Sequence, residues 1–387
     1  MRSRKTTKTT KTTRTAGRRA RLVSGAAFGL ALSLLGLSHT PARAAAEAPE
    51  GDEAASTPDE PANWRFKDDA RPVKVLFLAG SIGAWPRDPY SKRIEGMCKN
   101  VEAKNLSKTG FGALQLKQRF KKQVLDNRRV PLGRGDDASE YWLVFQGGLN
   151  SVAMPESTNH HIRDLYTIAH SKGIKVVGFT LTPWGDEADR RRWSGIGGLQ
   201  YLEYTRKLVE FTLGRLEPAE ALGEYASKRK VEADAPWDPS EVPDISIDLY
   251  HAPYLRHAEA EPRSVDAMRK QLERDSAWKR KLKELSEEER DATLAREATR
   301  AAEIPQWFLR EELRSFDHIH PNAEGHKRIA ELACPHLPAS WGCECPAIPE
   351  GMASPSDSRS AVDQVLLPFY PPWVRGLLGL LGDDGAR

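Results

Sequence analysis

Val73-Lys74-Val75-Leu76-Phe77-Leu78-Ala79-Gly80-Ser81-Ile82-Gly83 opens on a nearly continuous apolar run and closes on small residues around a serine. A short apolar run without polar alternation is the pattern of a strand covered on both faces, as in a parallel sheet. Residues 73–78 are therefore predicted to form a buried strand. Tyr141–Phe145 and Ile174–Leu181 repeat the pattern, the second introduced by Lys172-Gly173, and Ile245–Tyr250 is a weaker instance. Between these runs Ile162, Leu165, Tyr166 and Ala169 recur at helical spacing, as do Leu199, Tyr201, Leu202, Leu208 and Val209. Strands alternating with helices predict an α/β fold, a parallel β-sheet flanked by helices in an α/β/α sandwich.

Outward from this centre, the chain divides by composition. Residues 1–44 hold ten Lys and Arg and no Asp or Glu, followed from Leu22 to Leu37 by an apolar run and then by Ala42-Arg43-Ala44. A basic start, a short apolar stretch and an Ala-x-Ala end read as a secretory signal peptide. The apolar run falls short of the roughly 20 residues a spanning helix needs, so no membrane span is expected after cleavage. Without that leader the formal charge of +4 becomes about −6, which removes the basic surplus that nucleic-acid binding would require. Residues 45–70 read as a disordered spacer, the main domain as 71–340, and 341–387 as a C-terminal extension with an apolar, proline-interrupted tail at 366–381. Residues 259–303, dense in Glu, Lys and Arg, predict a helical insertion with a solvated face, started by a capping box at Ser286 and Glu289 and dispensable for chemistry. Cys98, Cys334, Cys343 and Cys345 are an even set in an exported chain. Disulfide pairing among the last three, with Cys98 as a further partner, is expected, and sequence leaves the connectivity open.

Three segments carry chemistry. Ser81 follows the first predicted strand and precedes a predicted helix, a turn that exposes a hydroxyl and offers backbone N–H groups to a developing oxyanion. Taken alone, it reads first as a plain turn with a serine cap. Gln146-Gly147-Gly148-Leu149-Asn150 lets the backbone approach a ligand and ends in an amide donor; alone, it is a common Asn turn. In Asp317-His318-Ile319-His320-Pro321-Asn322 a carboxylate three residues before a histidine can fix the ring tautomer, leaving the other nitrogen to take a proton. Three histidines, His318, His320 and His326, beside Asp317 also permit a metal reading, ranked lower because no second ligand cluster supports it.

Together and in this order, the segments resemble the SGNH/GDSL hydrolase family from near Val73 to near Leu332. Ala79-Gly80-Ser81 is similar to the Gly-Asp-Ser block. Asn105-Leu106-Ser107-Lys108-Thr109-Gly110 is similar to the second block, with Gly110 in its glycine position and Gly112 as a competitor. Gly148-Leu149-Asn150-Ser151 is similar to Gly-x-Asn-Asp, and Asp317 to His320 matches Asp-x-x-His in full. Gly80 and Ser151 depart from the family's aspartates, outside its triad and oxyanion positions.

The resemblance implies a flavodoxin-like sandwich with Ser81 as nucleophile, His320 as base, Asp317 as its orienting carboxylate, and the N–H groups of Ser81 and Gly110 with the Asn150 amide as the oxyanion hole. It implies hydrolysis of carboxylic esters, O-acetyl esters among them, with no metal or organic cofactor. The partner would be a small-molecule or glycan ester, with Trp85 and Trp184 read either as sugar platforms or as core. Two other classes stay open: an O-acyltransferase passing the acyl group to an envelope polysaccharide, and a catalytically inactive binding protein. A sugar acceptor separates the first from hydrolysis, and fluorophosphonate labelling separates the second.

Overall fold

The computed structural model describes residues 64–132, 139–185, 195–229, 235–257, 263–303 and 307–352. Among these, β1 (Val73–Ala79), β2 (Val101–Asn105), β3 (Glu140–Gln146), β4 (Lys175–Phe179) and β5 (Ile245–Ile247) form one sheet in the order β2-β1-β3-β4-β5. Every neighbouring pair is parallel, with Val75 facing Ala103 on one side and Trp142 on the other. All seven residues of β1 are buried, as expected of a strand with neighbours on both edges and helices on both faces. The strand β2 was not foreseen: Val-Glu-Ala-Lys-Asn buries only Val101 fully and lies at the sheet edge, where polar side chains are tolerated. The strands β4 and β5 are shorter than predicted. Their continuations turn out of the sheet and knit together, Leu249 and Tyr250 donating N–H bonds to Thr180 Oγ1.

The helices in chain order are α1 (Tyr90–Met97), α2 (Ala113–Phe120), α3 (Pro155–His170), α4 (Gly195–Thr212), α5 (Pro218–Leu222), α6 (Val265–Arg274), α7 (Ser276–Leu282), α8 (Glu287–Glu303) and α9 (Ala323–Ala333). One sheet face, with Val75, Phe77, Val144 and Val177, buries Ile94 of α1 and Ile329 and Ala333 of α9. The other, with Leu76, Leu78, Leu143 and Val176, buries Leu116 and Phe120 of α2 and Ile162, Leu165 and Ala169 of α3. Alternate residues of β1 thus feed two separate cores, which makes the sandwich three layers deep.

Residues 64–70, expected in the spacer, are instead packed on the domain. Trp64 meets Phe66 edge-on at 5.4 Å, Phe66 meets Tyr141 at 6.1 Å, and the N–H groups of Lys67 and Asp68 donate to the Glu102 carboxylate. The predicted leader, residues 45–63 of the spacer and the tail at 366–381 lie outside the described residues. No helix among the described residues is long and apolar enough to cross a membrane.

Helices α6, α7 and α8 form the predicted insertion, and Ser286 and Glu289 cap each other reciprocally at the start of α8. Only one side of it is solvated. Met268, Leu272, Leu282, Leu294 and Ala298 are buried together with Trp184, Leu202 and Tyr250 of the main domain. The charge density of 259–303 masked this apolar stripe, whose residues fall at helical spacing inside a strongly polar background. Disulfides join Cys98 to Cys343 and Cys334 to Cys345. The first ties α1 to the start of the C-terminal extension, and the Met352 carbonyl accepts from Tyr254 N–H.

Candidate active site

Parallel strands place their carboxyl ends on one edge of the sheet, and the loops leaving those ends form the site. Ser81 leaves β1 in a turn over residues 81–84, closed by an N–H···O bond from Ala84 to Gly80; α1 begins only at Tyr90. The helix predicted directly after Ser81 is therefore a turn, and any N–H groups it offers come from that turn. The loop after β2 is strapped to this one. Ser107 Oγ accepts from Ala79 N–H at 2.9 Å, Lys108 N–H donates to the Ala79 carbonyl, and Asn105 Nδ2 donates to the Gly83 carbonyl. Gly110 in this loop has φ +79°, the left-handed region that glycine adopts without strain. Neither Ser81 N–H nor Gly110 N–H is bonded to any described residue, so both remain available as donors.

The loop after β3 holds Gly148 at φ +111°, a conformation strained for any residue with a Cβ, and a Cβ there would meet Leu208 Cδ2 at 2.5 Å. This bend turns Asn150 toward Gly80. A Cβ on Gly80 would lie 3.2 Å from Asn150 Nδ2, and that amide donates to the Phe111 carbonyl at 3.1 Å. Ser151 takes a structural part that its sequence position did not suggest, accepting from Ala113 N–H in the first turn of α2.

The last segment closes the site. The N–H groups of Ile319 and His320 both donate to Asp317 Oδ1 at 3.0 Å, while Asp317 Oδ2 bonds His320 Nδ1. His320 Nε2 then lies 2.6 Å from Ser81 Oγ. Partial burial pushes the Asp317 carboxyl up, but the His320 N–H, the His320 ring and the Ile319 N–H outweigh it, and the group stays below the ordinary carboxylate range. The loop is fixed at both ends: Ser315 N–H donates to the His320 carbonyl, and Asn322 Oδ1 caps α9 by accepting from Gly325 N–H. His318 has φ +60°, which turns its carbonyl outward to accept from Gly185 N–H.

The structure therefore brings Ser81, Asp317 and His320 together, with Asn150 and the loop of Gly110 beside them. It does not bring the three histidines together. His326 is fully buried between Trp85 and Tyr90, with ring centroids at 5.4 and 5.9 Å. Neither of its ring nitrogens has a hydrogen-bond partner among the described residues, and burial, with Arg93 and His320 nearby, pushes it down to about 3. Trp184 is core, its Nε1 donating to Thr205 Oγ1, while Trp85 is half-buried with one ring contact to His326.

No family profile matches the chain, and no curated protein is significantly similar to it. Solved structures are similar to it at low level. An acetylxylan esterase from Geobacillus stearothermophilus shares 13% identity at a TM-score of 0.34, over 71% of this chain and 97% of that one. A GDSL-like lipase from Bacteroides thetaiotaomicron shares 14% at 0.34, over 66% and 83%. A member of the lipolytic G-D-S-L family from Veillonella parvula shares 12% at 0.34, over 67% and 96%. Similarity at this level carries no inference about substrate.

Elsewhere, His160, His161 and Asp164 converge around α3. Lys117 Nζ stands among them, 3.2 Å from His161 Nδ1 and 2.9 Å from Asp164 Oδ2, and Arg163 Nη2 lies 2.7 Å from Asp164 Oδ1. The Lys117 ammonium thus already engages two of the three groups and would repel a metal cation there. Burial, then Lys117, pushes His161 down to about 4.

Proposed function

We propose that the chain is an exported serine esterase that cleaves carboxylic esters through Ser81, His320 and Asp317. One observation carries the proposal: a single imidazole bonded through one nitrogen to a carboxylate and through the other to a serine hydroxyl. This arrangement is unfavourable to assemble by chance, because it fixes three side chains from two distant segments in one line. Ser81 Oγ attacks the ester carbonyl carbon while His320 Nε2 takes its proton. Asp317, kept ionised, stabilises the imidazolium that forms. The oxyanion receives the Ser81 and Gly110 N–H groups and the Asn150 amide. His320 returns the proton to the leaving alcohol, the acyl group stays on Ser81 Oγ, and water reverses the steps to release the acid. No step calls for a metal or an organic cofactor.

Export is supported by the leader-like residues 1–44 and by cysteines placed for two disulfides. The test is labelling by a fluorophosphonate together with hydrolysis of p-nitrophenyl acetate and acetylated glycans, with and without a sugar acceptor. Labelling abolished by Ser81→Ala and turnover of at least one ester are expected. A native chain that neither labels nor turns over any ester removes the proposal, and acyl transfer to the acceptor in excess of hydrolysis converts it to an acyltransferase.

A further inference from the structure

A concavity of about 670 Å³ beside the edge strand β2 is lined by Trp64, Arg65, Lys67, Lys104 and Arg129. Four of these five are cations, and among the described residues no carboxylate shares the lining. Arg65, Lys67 and Lys104 form no ion pair or side-chain hydrogen bond among the described residues. The cluster differs from the cations that carboxylates hold elsewhere, Lys74 with Glu102, Lys117 with Asp164, Lys175 with Glu140 and Lys207 with Glu156. It also opposes the overall balance, because residues beyond the leader carry a formal charge of about −6. A cleft lined by one sign of charge focuses its field and draws in the opposite sign.

The groove is built. Its floor is Trp64, held edge-on by Phe66 at 5.4 Å and by a bond from Asn127 Nδ2 to the Trp64 carbonyl. Its wall is the edge strand β2, whose register against β1 places Lys104 opposite Leu76. Lys104 is followed directly by Asn105, whose amide holds the loop of Ser81 through the Gly83 carbonyl. A chain lying in the groove along β2 would therefore run toward the edge of the sheet where Ser81 stands.

We propose that this groove binds an acidic polysaccharide, with Arg65, Lys67 and Lys104 pairing its carboxylates and Trp64 offering an apolar face to a sugar ring. The guanidinium fork suits carboxylate groups. Nucleic acid is the competing polyanion and fits less well. Its duplex presents a charge every ~1.7 Å and demands an extended basic face, whereas here four cations sit in one concavity and residues 45–387 together are net acidic. The binding does not depend on the esterase reading; only its direction toward Ser81 does.

The test uses the full chain in two arms. In the first, affinity for polygalacturonate is compared between wild type and Arg65→Gln/Lys67→Gln/Lys104→Gln, with dextran and single-stranded DNA as comparison ligands. The basic leader contributes equally to both proteins, so the difference reads the groove. The triple variant is expected to bind polygalacturonate at least tenfold more weakly, with p-nitrophenyl acetate turnover and thermal midpoint unchanged. In the second, carbodiimide-activated polygalacturonate forms amides with bound lysines, located by peptide mass spectrometry. Conjugates on Lys67 and Lys104 are expected. Equal affinity of variant and wild type, conjugates confined to other lysines, or tighter binding of DNA than of polygalacturonate at the groove would each overturn the proposal. Loss of ester turnover in wild type with retained groove binding would sink the esterase reading alone.

Discussion

His320 Nε2 lies 2.6 Å from Ser81 Oγ, and the opposite nitrogen of the same ring is bonded to Asp317. A unit of this kind fails as a whole when one member is removed, since nucleophile and base serve the same proton-coupled step. Ser81→Ala and His320→Ala are each expected to lower kcat on p-nitrophenyl acetate by on the order of 10⁴-fold or more. The double variant should be little worse than either single one. Asp317→Asn should cost less, because that carboxylate orients and stabilises without reacting. Additive losses in the double variant would show that the two side chains act in separate steps.

Asn150 Nδ2 already donates one hydrogen to the Phe111 carbonyl, leaving the second for an oxyanion. Loss of one such donor typically lowers turnover by roughly 100- to 1,000-fold. Asn150→Ala should show that loss in kcat with KM little changed, because the contact forms with the charge that develops in the transition state. An effect confined to KM would place Asn150 in ground-state binding.

His326 gives a pH dependence whose sign follows from its burial. Folded, it stays neutral down to about 3; unfolded, it takes a proton below its ordinary value near 6.5. Between those values the unfolded chain binds the extra proton, so stability falls as pH drops from about 6.5 toward 3, by at most about 1.4 kcal/mol per pH unit. Asp317, lowered in the fold, adds loss only below the carboxylate range, as pH falls through its folded value. Denaturant melts of wild type and His326→Gln between pH 7 and 4.5 check this. The variant should show a shallower slope, whatever its stability at neutral pH.

The disulfide between Cys98 and Cys343 closes a separation of 245 positions, and that between Cys334 and Cys345 closes 11. Non-reducing peptide maps should show these two pairs. Cys98→Ser/Cys343→Ser should cost about 2–5 kcal/mol of stability, read as a fall in thermal midpoint, and should lower small-ester turnover only as far as the fold is lost. A map joining Cys343 to Cys345 would contradict this arrangement.

Leu294 of α8 is buried against the main domain in the cluster that includes Trp184 and Tyr250. Leu294→Ala should cost about 2–5 kcal/mol, as large-to-small changes in packed cores do. Deletion of residues 263–303 should cost more, because it strips cover from Trp184, directly before the Gly185 N–H that holds the His318 carbonyl. Equal thermal midpoints for wild type and Leu294→Ala would mean the insertion is not docked in solution.

The sequence by itself determined the parallel α/β sandwich, because Val73–Leu78 and its repeats carry no polar alternation and helical spacings separate them. It also marked Ser81, Asn150, Asp317 and His320, though only through the joint resemblance of their segments to a known family, since each segment alone also reads as an ordinary turn or cap. It did not mark β2, whose five mostly polar residues become a strand only because β1 offers them an edge to pair with. Nor could it place Ser107 and Ser151: a hydroxyl has no local signature for a partner 28 or 38 positions away. The tertiary structure alone decided the cysteine pairing, the docking of residues 64–70 and the buried stripe of the insertion. Each of these depends on which surfaces the sheet brings together, and local pattern records a residue's own periodicity without naming what it will face.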